Sequence, residues 1–95
     1  MDKQELVKLR RNVKILQKEL RSLGPVMRGS VVSIGTRNKQ SYFSLNKDQK
    51  TRLIYLGAQR EAKAREYSAN YKRLLEIVEE MTLLNMQLLK EDACP

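Results

Sequence analysis

Between Ala58 and Lys90 the chain contains neither glycine nor proline, and no other feature narrows its fold as much. Apolar side chains recur there at helical spacing without an interior helix breaker. The segment therefore reads as one helix, roughly 48 Å long at ~1.5 Å per residue. From Tyr67 onward one register runs Tyr67, Tyr71, Leu74, Val78, Met81, Asn85 and Leu88, and an offset one runs Leu74, Ile77, Met81, Leu84 and Leu88. Together they make an apolar face wider than one neighbour covers. Little else in the chain is available to surround it, so a second copy is expected, as a homo-oligomer with the dimer favoured. The expected interface is Leu74, Val78, Met81, Leu84, Asn85 and Leu88. Asn85 is polar within a seam and suits a role in setting register by pairing with its symmetry mate. Met81 and Met86 read as gap-fillers, and Tyr67 and Tyr71 as the edge of a core.

Ahead of that helix the pattern changes twice. Asp2 to Leu23 reads as a first helix, with Leu6, Leu9, Val13, Leu16, Leu20 and Leu23 spaced 3, 4, 3, 4, 3 as in a heptad seam. Asp2 can cap its start, and Gly24-Pro25 ends it, glycine supplying a positive φ. Residues 28–57 turn to β-branched and aromatic side chains broken by turn formers. Strands are expected over Ser30–Thr36, Gln40–Leu45 and Lys50–Leu56, joined by Thr36–Lys39 and Asn46–Gln49, as a short antiparallel meander. The fold class is α+β: helix, small β-meander, long helix, the two helices forming a coiled-coil-like hairpin. Residues 1–95 form one domain, with Glu91–Pro95 expected to be a disordered tail.

Charge is segregated along the chain. Residues 1–65 hold 16 of the 19 basic side chains and 5 of the 11 acidic ones, within a net charge of +8. Such a balance suits a polyanionic partner. Catalysis is not expected. There is no histidine to carry acid–base work near neutral pH, and a chain this small offers little room for a deep pocket. Cys94 is the one cysteine, which excludes an internal disulfide and reads as a free thiol. No Cys/His cluster is present to bind zinc, and no metal or cofactor is expected. Absence of a signal-like apolar run near the start, and of any membrane-length apolar stretch, gives a cytoplasmic expectation.

Three sets of basic residues are candidates for phosphate contact. The first lies on the meander: Arg28, Arg37, Lys39, Lys47, Lys50 and Arg52, with Tyr42 or Tyr55 near enough to stack. The competing reading is that these charges keep sheet edges from associating. The second set, Arg60, Lys63 and Arg65, opens the long helix, where the helix dipole disfavours positive charge and an anion would compensate. The third is the first helix, whose Lys8, Arg10, Arg11, Lys14, Lys18 and Arg21 are read as a solvated flank that can attract Glu76, Glu79 and Glu80. The function expected is non-enzymatic nucleic-acid binding through the backbone, DNA ahead of RNA. The alternative is a protein-interaction adaptor or inhibitor that uses the apolar helix face and the basic surface to bind a larger protein.

Several short motifs fall in a familiar order: Gly29-Ser30, the strand Gln40-Ser41-Tyr42-Phe43-Ser44-Leu45, Lys50-Thr51-Arg52-Leu53-Ile54-Tyr55, Asn70-Tyr71-Lys72-Arg73-Leu74-Leu75, and Leu84-Asn85. Over residues 28–90 the chain resembles a family of small uncharacterised prokaryotic proteins associated with transposases and mobile elements. The resemblance implies a helix, β-hairpin and long helix in a mobile-DNA setting. Family members often carry a Cys-rich knuckle between the first two strands. Here that stretch is Ile34-Gly35-Thr36-Arg37-Asn38-Lys39-Gln40 without cysteine, so no metal site is carried over.

Overall fold

The computed structural model describes residues 2–93. Its elements are α1 (Lys3–Ser22), β1 (Ser30–Ile34), β2 (Gln40–Lys47), β3 (Lys50–Tyr55) and α2 (Gly57–Lys90), the α+β order expected. Two units divide the chain. One comprises residues up to Leu23 and from Arg73 onward, the other Gly24 to Lys72.

In the helical unit, the Asp2 carboxylate accepts the Glu5 amide at 2.9 Å and so satisfies one of the free donors of the first turn. Leu23, at φ −61° and ψ 137°, already leaves the helix, so the stop precedes Gly24, and Gly24 is not among the glycines at positive φ. The glycine–proline pair ends the helix without the left-handed turn expected of it. Heptad positions of α1 turn inward: Val13 clusters with Leu88 and Ala93, with Leu6, Leu9, Met81 and Leu84 packed around them. Ile77 and Leu88 are completely buried. Val13 meets Leu88 near the end of α2, whereas Glu19, later on α1, binds Arg73, fifteen positions before Leu88, so the two helices run antiparallel. Of the expected Glu91–Pro95 tail, residues 91–93 are bonded to the end of α2. Ala93 is buried and its amide donates to the Leu88 carbonyl at 2.8 Å, while Asp92, at φ 51°, donates to Leu89 at 3.1 Å. These two bonds satisfy carbonyls that a helix end otherwise leaves open. Cys94 and Pro95 lie outside the described residues.

The second unit is a three-stranded antiparallel meander in the order β1-β2-β3. Phe43 stands between Val31 and Ile54 in the cross-strand register. It joins Leu56 and Ala64 in a buried cluster that Met27, Val31 and Leu45 complete. Small side chains on the first half of α2 let the backbone before β1 come close, and Ser68 Oγ donates to the Gly29 carbonyl at 2.9 Å. Gly29 is required there. At φ +152°, an added Cβ would lie 2.5 Å from the Ser44 carbonyl and 2.6 Å from Phe43 Cζ. β1 is two residues shorter than expected because Gly35 turns the chain away at φ +134°. β2 is two residues longer, because the Asp48-Gln49 turn needs only its two central residues at positive φ (53° and 62°), the geometry that matches the twist of paired strands. Among the described residues, no helix is long and apolar enough to cross a membrane.

Candidate nucleic-acid interface

Strand alternation sends neighbouring side chains to opposite faces, and the register decides where the candidate residues go. Phe43 and Leu45 face α2, and so do their cross-strand partners Val31, Ile54 and Arg52 and the pair Lys47–Lys50. The other face carries Val32, Ile34, Tyr42, Leu53 and Tyr55. Tyr42 and Tyr55 meet edge to face with centroids 5.6 Å apart, and the Tyr55 hydroxyl donates to Gln40 Oε1 at 3.1 Å. The tyrosines expected beside the strand bases thus point away from them. On this outer face the aromatic and apolar side chains alternate with the uncharged Ser30, Gln40, Ser44, Asn46 and Thr51, and no basic strand residue lies there.

The meander bases also part along the strands. Lys47 and Lys50 are the last pair before the β2–β3 turn, an arrangement in which like charges repel. Arg28 joins that end by donating to the Asn46 carbonyl at 3.1 Å, with Arg52 on the adjoining strand. Arg37 and Lys39 belong to the β1–β2 connection, at the opposite end of β2, about 24 Å away for a strand of this length. The six form two exposed groups and no single patch.

At the start of α2 the charges are largely answered by the chain itself. Arg60 Nε donates to the Leu56 carbonyl at 3.0 Å, Lys63 lies 3.7 Å from Glu66, and Arg65 Nη2 donates to Glu61 at 2.8 Å. Arg65, with a contribution from Ser41, holds the Glu61 carboxyl below its ordinary pKa. The compensating anions expected from outside are therefore glutamates at helical i+3 and i−4 spacing. That spacing is already present in the sequence.

The first helix carries the larger concentration of open charge. With Leu6, Leu9, Val13, Leu16 and Leu20 turned inward, steps of 100° per residue place Lys3, Arg10, Arg11, Lys14, Lys18 and Arg21 within an arc of roughly 100° on the exposed side. All six are exposed, and from Lys3 to Arg21 they cover about 27 Å of axis. Among the described residues, no basic side chain of α1 makes an ion pair. Lys8, expected with this set, lies about 60° outside the arc, and Lys3 completes the stripe in its place.

The acidic flank of α2 is not paired with that stripe. Arg73 instead gathers it: Nε and Nη2 both donate to the Glu19 carboxylate, the latter at 2.7 Å, while Nη1 lies 3.1 Å from Glu76 and 3.4 Å from Glu80. The guanidinium holds the Glu19 carboxyl below its ordinary pKa, and Glu19 in turn raises that of Arg73. The expected attraction between the helices is present with its polarity reversed, the base on α2 and the acid on α1.

The expected oligomer surface is largely used within the chain. Leu88 is fully buried, and Met81 and Leu84 pack on the same cluster; Leu74 is half-buried. These belong to the register that meets α1. Of the six, Val78 is exposed, and Asn85 is half-buried with its Oδ1 covered and without a hydrogen-bond donor. On the other flank of the hairpin a groove is lined by Asn12, Ile15, Leu16, Glu80, Leu83 and Leu84. Its one carboxylate, Glu80, is already occupied by Arg73. Among the described residues, no group of three or more Cys, Asp or Glu side chains is arranged to hold a metal ion. Comparison of the chain with family models, curated proteins and solved structures returned no match.

Proposed function

We propose that this chain is a non-enzymatic nucleic-acid-binding protein that holds a phosphate backbone along the exposed face of α1. The observation supporting this reading is the stripe formed by Lys3, Arg10, Arg11, Lys14, Lys18 and Arg21, six exposed charges on one helix with no ion pair among the described residues. An isolated stripe of this kind repels itself, and a polyanion relieves that repulsion while releasing its own counterions. Its length of about 27 Å corresponds to roughly eight phosphates along one strand of duplex, which suits non-specific backbone contact. Arg28, Lys47 and Lys50, at one end of the sheet, and Arg37 and Lys39, at the other, are secondary contacts in this reading. Arg60, Lys63 and Arg65 are weaker candidates because neighbouring groups occupy them. DNA is placed ahead of RNA on the strength of the mobile-element resemblance, and a reducing, cytoplasmic setting follows from the cysteine usage.

Salt dependence tests the proposal. With six phosphate contacts, affinity for a short duplex falls about a thousandfold between about 50 and about 200 mM salt. Replacing Arg10, Lys14, Lys18 and Arg21 by Gln lowers affinity and flattens the logarithmic slope by about one per lost contact. Replacing Lys63 by Gln leaves both nearly unchanged. Affinity that ignores salt, or binding weaker than ~10⁻⁴ M at low salt, overturns the proposal.

The outer sheet face supports the second reading, a protein-interaction adaptor. Val32, Ile34, Tyr42, Leu53 and Tyr55 form an uncharged surface, three of whose members (Ile34, Leu53 and Tyr55) are nearly half exposed. Serine at Leu53 and Tyr55 leaves the salt-dependent DNA affinity intact if the first reading holds. It abolishes capture of a protein partner if the second does.

A further inference from the structure

We propose that the β2–β3 hairpin enters the major groove of B-form DNA and sets Lys47, Lys50 and Arg52 on the flanking phosphates, an inference that rests on the nucleic-acid reading above. The sheet narrows to two strands at this end. β1 pairs last at Ser30↔Ser44, whereas β2 and β3 stay paired out to Lys47↔Lys50. At ~3.4 Å per residue, the two-stranded ribbon runs roughly 10 Å past the third strand. Every residue from Asn46 to Arg52 is exposed, so α2 leaves this part of the sheet uncovered. Two strands lie ~4.8 Å apart, and with their side chains they fit a major groove about 12 Å wide and about 8.5 Å deep. The minor groove, about 6 Å wide, is too narrow. The deep, narrow major groove of A-form RNA is closed to side chains. A ribbon of this shape therefore distinguishes DNA from RNA duplexes, which the α1 stripe alone does not.

Charge and stiffness identify the ligand. Lys47 and Lys50 face each other across the last rung, a like-charge pair that lowers stability, and Arg52 shares their face. Among the described residues, none of the three makes an ion pair, and neither does Arg28. Anions along the groove wall relieve that repulsion. The tip is also braced. Arg28 Nη1 donates to the Asn46 carbonyl at 3.1 Å, and Thr51 Oγ1 donates to Asn46 Oδ1 at 2.7 Å. Asp48 and Gln49 close the turn with two central residues, the tightest common connection of paired strands. The three cations are thus carried on a backbone that has little freedom to lose on binding. At the base of the ribbon, a cleft of about 210 Å³ is bordered by Ser30, Ser68 and Lys72. Lys72 is exposed and has no ion pair among the described residues, so it adds a phosphate contact beside the ribbon.

The test compares fluorescence-monitored binding of the full chain to one short duplex made as DNA and as RNA, at equal salt. DNA is expected to bind about tenfold tighter or more. A variant combining Lys47→Gln, Lys50→Gln and Arg52→Gln alters exposed side chains only, and its circular dichroism should match the parent's. It flattens the logarithmic salt slope on DNA by about three, leaves RNA affinity nearly unchanged and erases the preference. Guanine N7 lies in the major groove, so the parent protects it from dimethyl sulfate at saturation and the variant does not. Replacing Arg10, Lys14, Lys18 and Arg21 by Gln lowers both affinities and keeps the preference. Salt-dependent binding of equal strength to DNA and RNA, or a DNA preference that survives in the ribbon variant, overturns the ribbon and leaves the α1 reading standing. Absence of salt-dependent binding to either duplex removes both.

Discussion

The two units solve the same problem with opposite tolerances. The sheet unit brings backbone against backbone: Gly29 lies where a single added carbon would overlap Ser44 and Phe43, and α2 contributes the small Ala64 and Ser68. The helical unit interdigitates large side chains, and α2 carries more of them than α1 covers, with Leu75, Val78, Leu83, Met86 and Leu89 all at least half exposed. Both units leave apolar side chains open, but only the sheet unit has a backbone contact with no room for a methyl group. Loss of a methyl group or gain of one should therefore be felt very differently in the two, and surplus surface is what a protein can devote to association.

The sharpest break of that contrast is to empty the sheet core and trim the surplus helix face in parallel. Phe43→Ala removes a ring that is 5% exposed and is expected to cost about 3–5 kcal/mol, enough to unfold much of a small domain. Leu75→Ala, at 51% exposure, is expected to cost less than about 1 kcal/mol in dilute protomer. Equal losses in urea denaturation would show that the exposed face is structural. Next in size is Gly29→Ala. It combines a positive φ with overlap against a carbonyl, and is expected to cost about 2–4 kcal/mol. An added methyl at Ala69, on the exposed side of α2, is expected to cost only a few tenths of a kcal/mol.

Electrostatics draw a subtler contrast. In the helical unit Glu19 titrates below its ordinary value because Arg73 stabilises the charged form. A carboxyl depressed on folding stabilises the fold above its unfolded pKa of about 4.5, and that contribution disappears as pH falls through the lower folded value. Arg73 itself stays charged throughout. Arg73→Met removes the contribution at every pH and leaves Glu19, Glu76 and Glu80 repelling one another. Its thermal midpoint should drop less than the parent's between about pH 6 and about pH 3. Identical pH profiles would mean that the cluster is too solvated to matter, as many exposed pairs are.

Local signals were legible, and choices between equivalent surfaces were not. The Asp2 cap, the heptad of α1, the unbroken run from Ala58 and the turn residues around Asp48 each act over a few positions, so the element order and most boundaries could be read directly. The register by which α1 meets α2 depends on which of two overlapping apolar stripes packs better, and both spell out helical spacing. Hence Met81, Leu84 and Leu88 looked equally suited to a second copy. The basic stripe of α1, by contrast, was legible, since steps of about 100° alone gather Lys3, Arg10, Arg11, Lys14, Lys18 and Arg21 and leave Lys8 aside. Tyr42 and Tyr55 parted from Lys47, Lys50 and Arg52 through strand alternation, which a fixed register makes certain and composition alone does not. Arg73 and Glu19, far apart in sequence, carry no local mark of their pairing.

The smallest effects compare how each unit turns its chain. Gln49 closes the β2–β3 turn at φ 62° and Asp92 closes α2 at φ 51°, both in a region that glycine occupies without strain. Gln49→Gly gives the turn the residue its second central position prefers, and is expected to stabilise the sheet unit by about 0.5–1 kcal/mol. Glycine's greater freedom in the unfolded chain offsets part of the relieved strain. Asp92→Gly relieves the same backbone strain and also removes a negative charge from the negative end of the helix dipole. It should therefore gain slightly more at low salt, and that excess should shrink toward the Gln49→Gly value as salt is raised. Paired melting curves at two salt concentrations separate the terms. If Asp92→Gly gains nothing, the backbone bonds from Asp92 and Ala93 to Leu89 and Leu88 already hold the end of α2 without strain; if its excess ignores salt, the dipole is not its source.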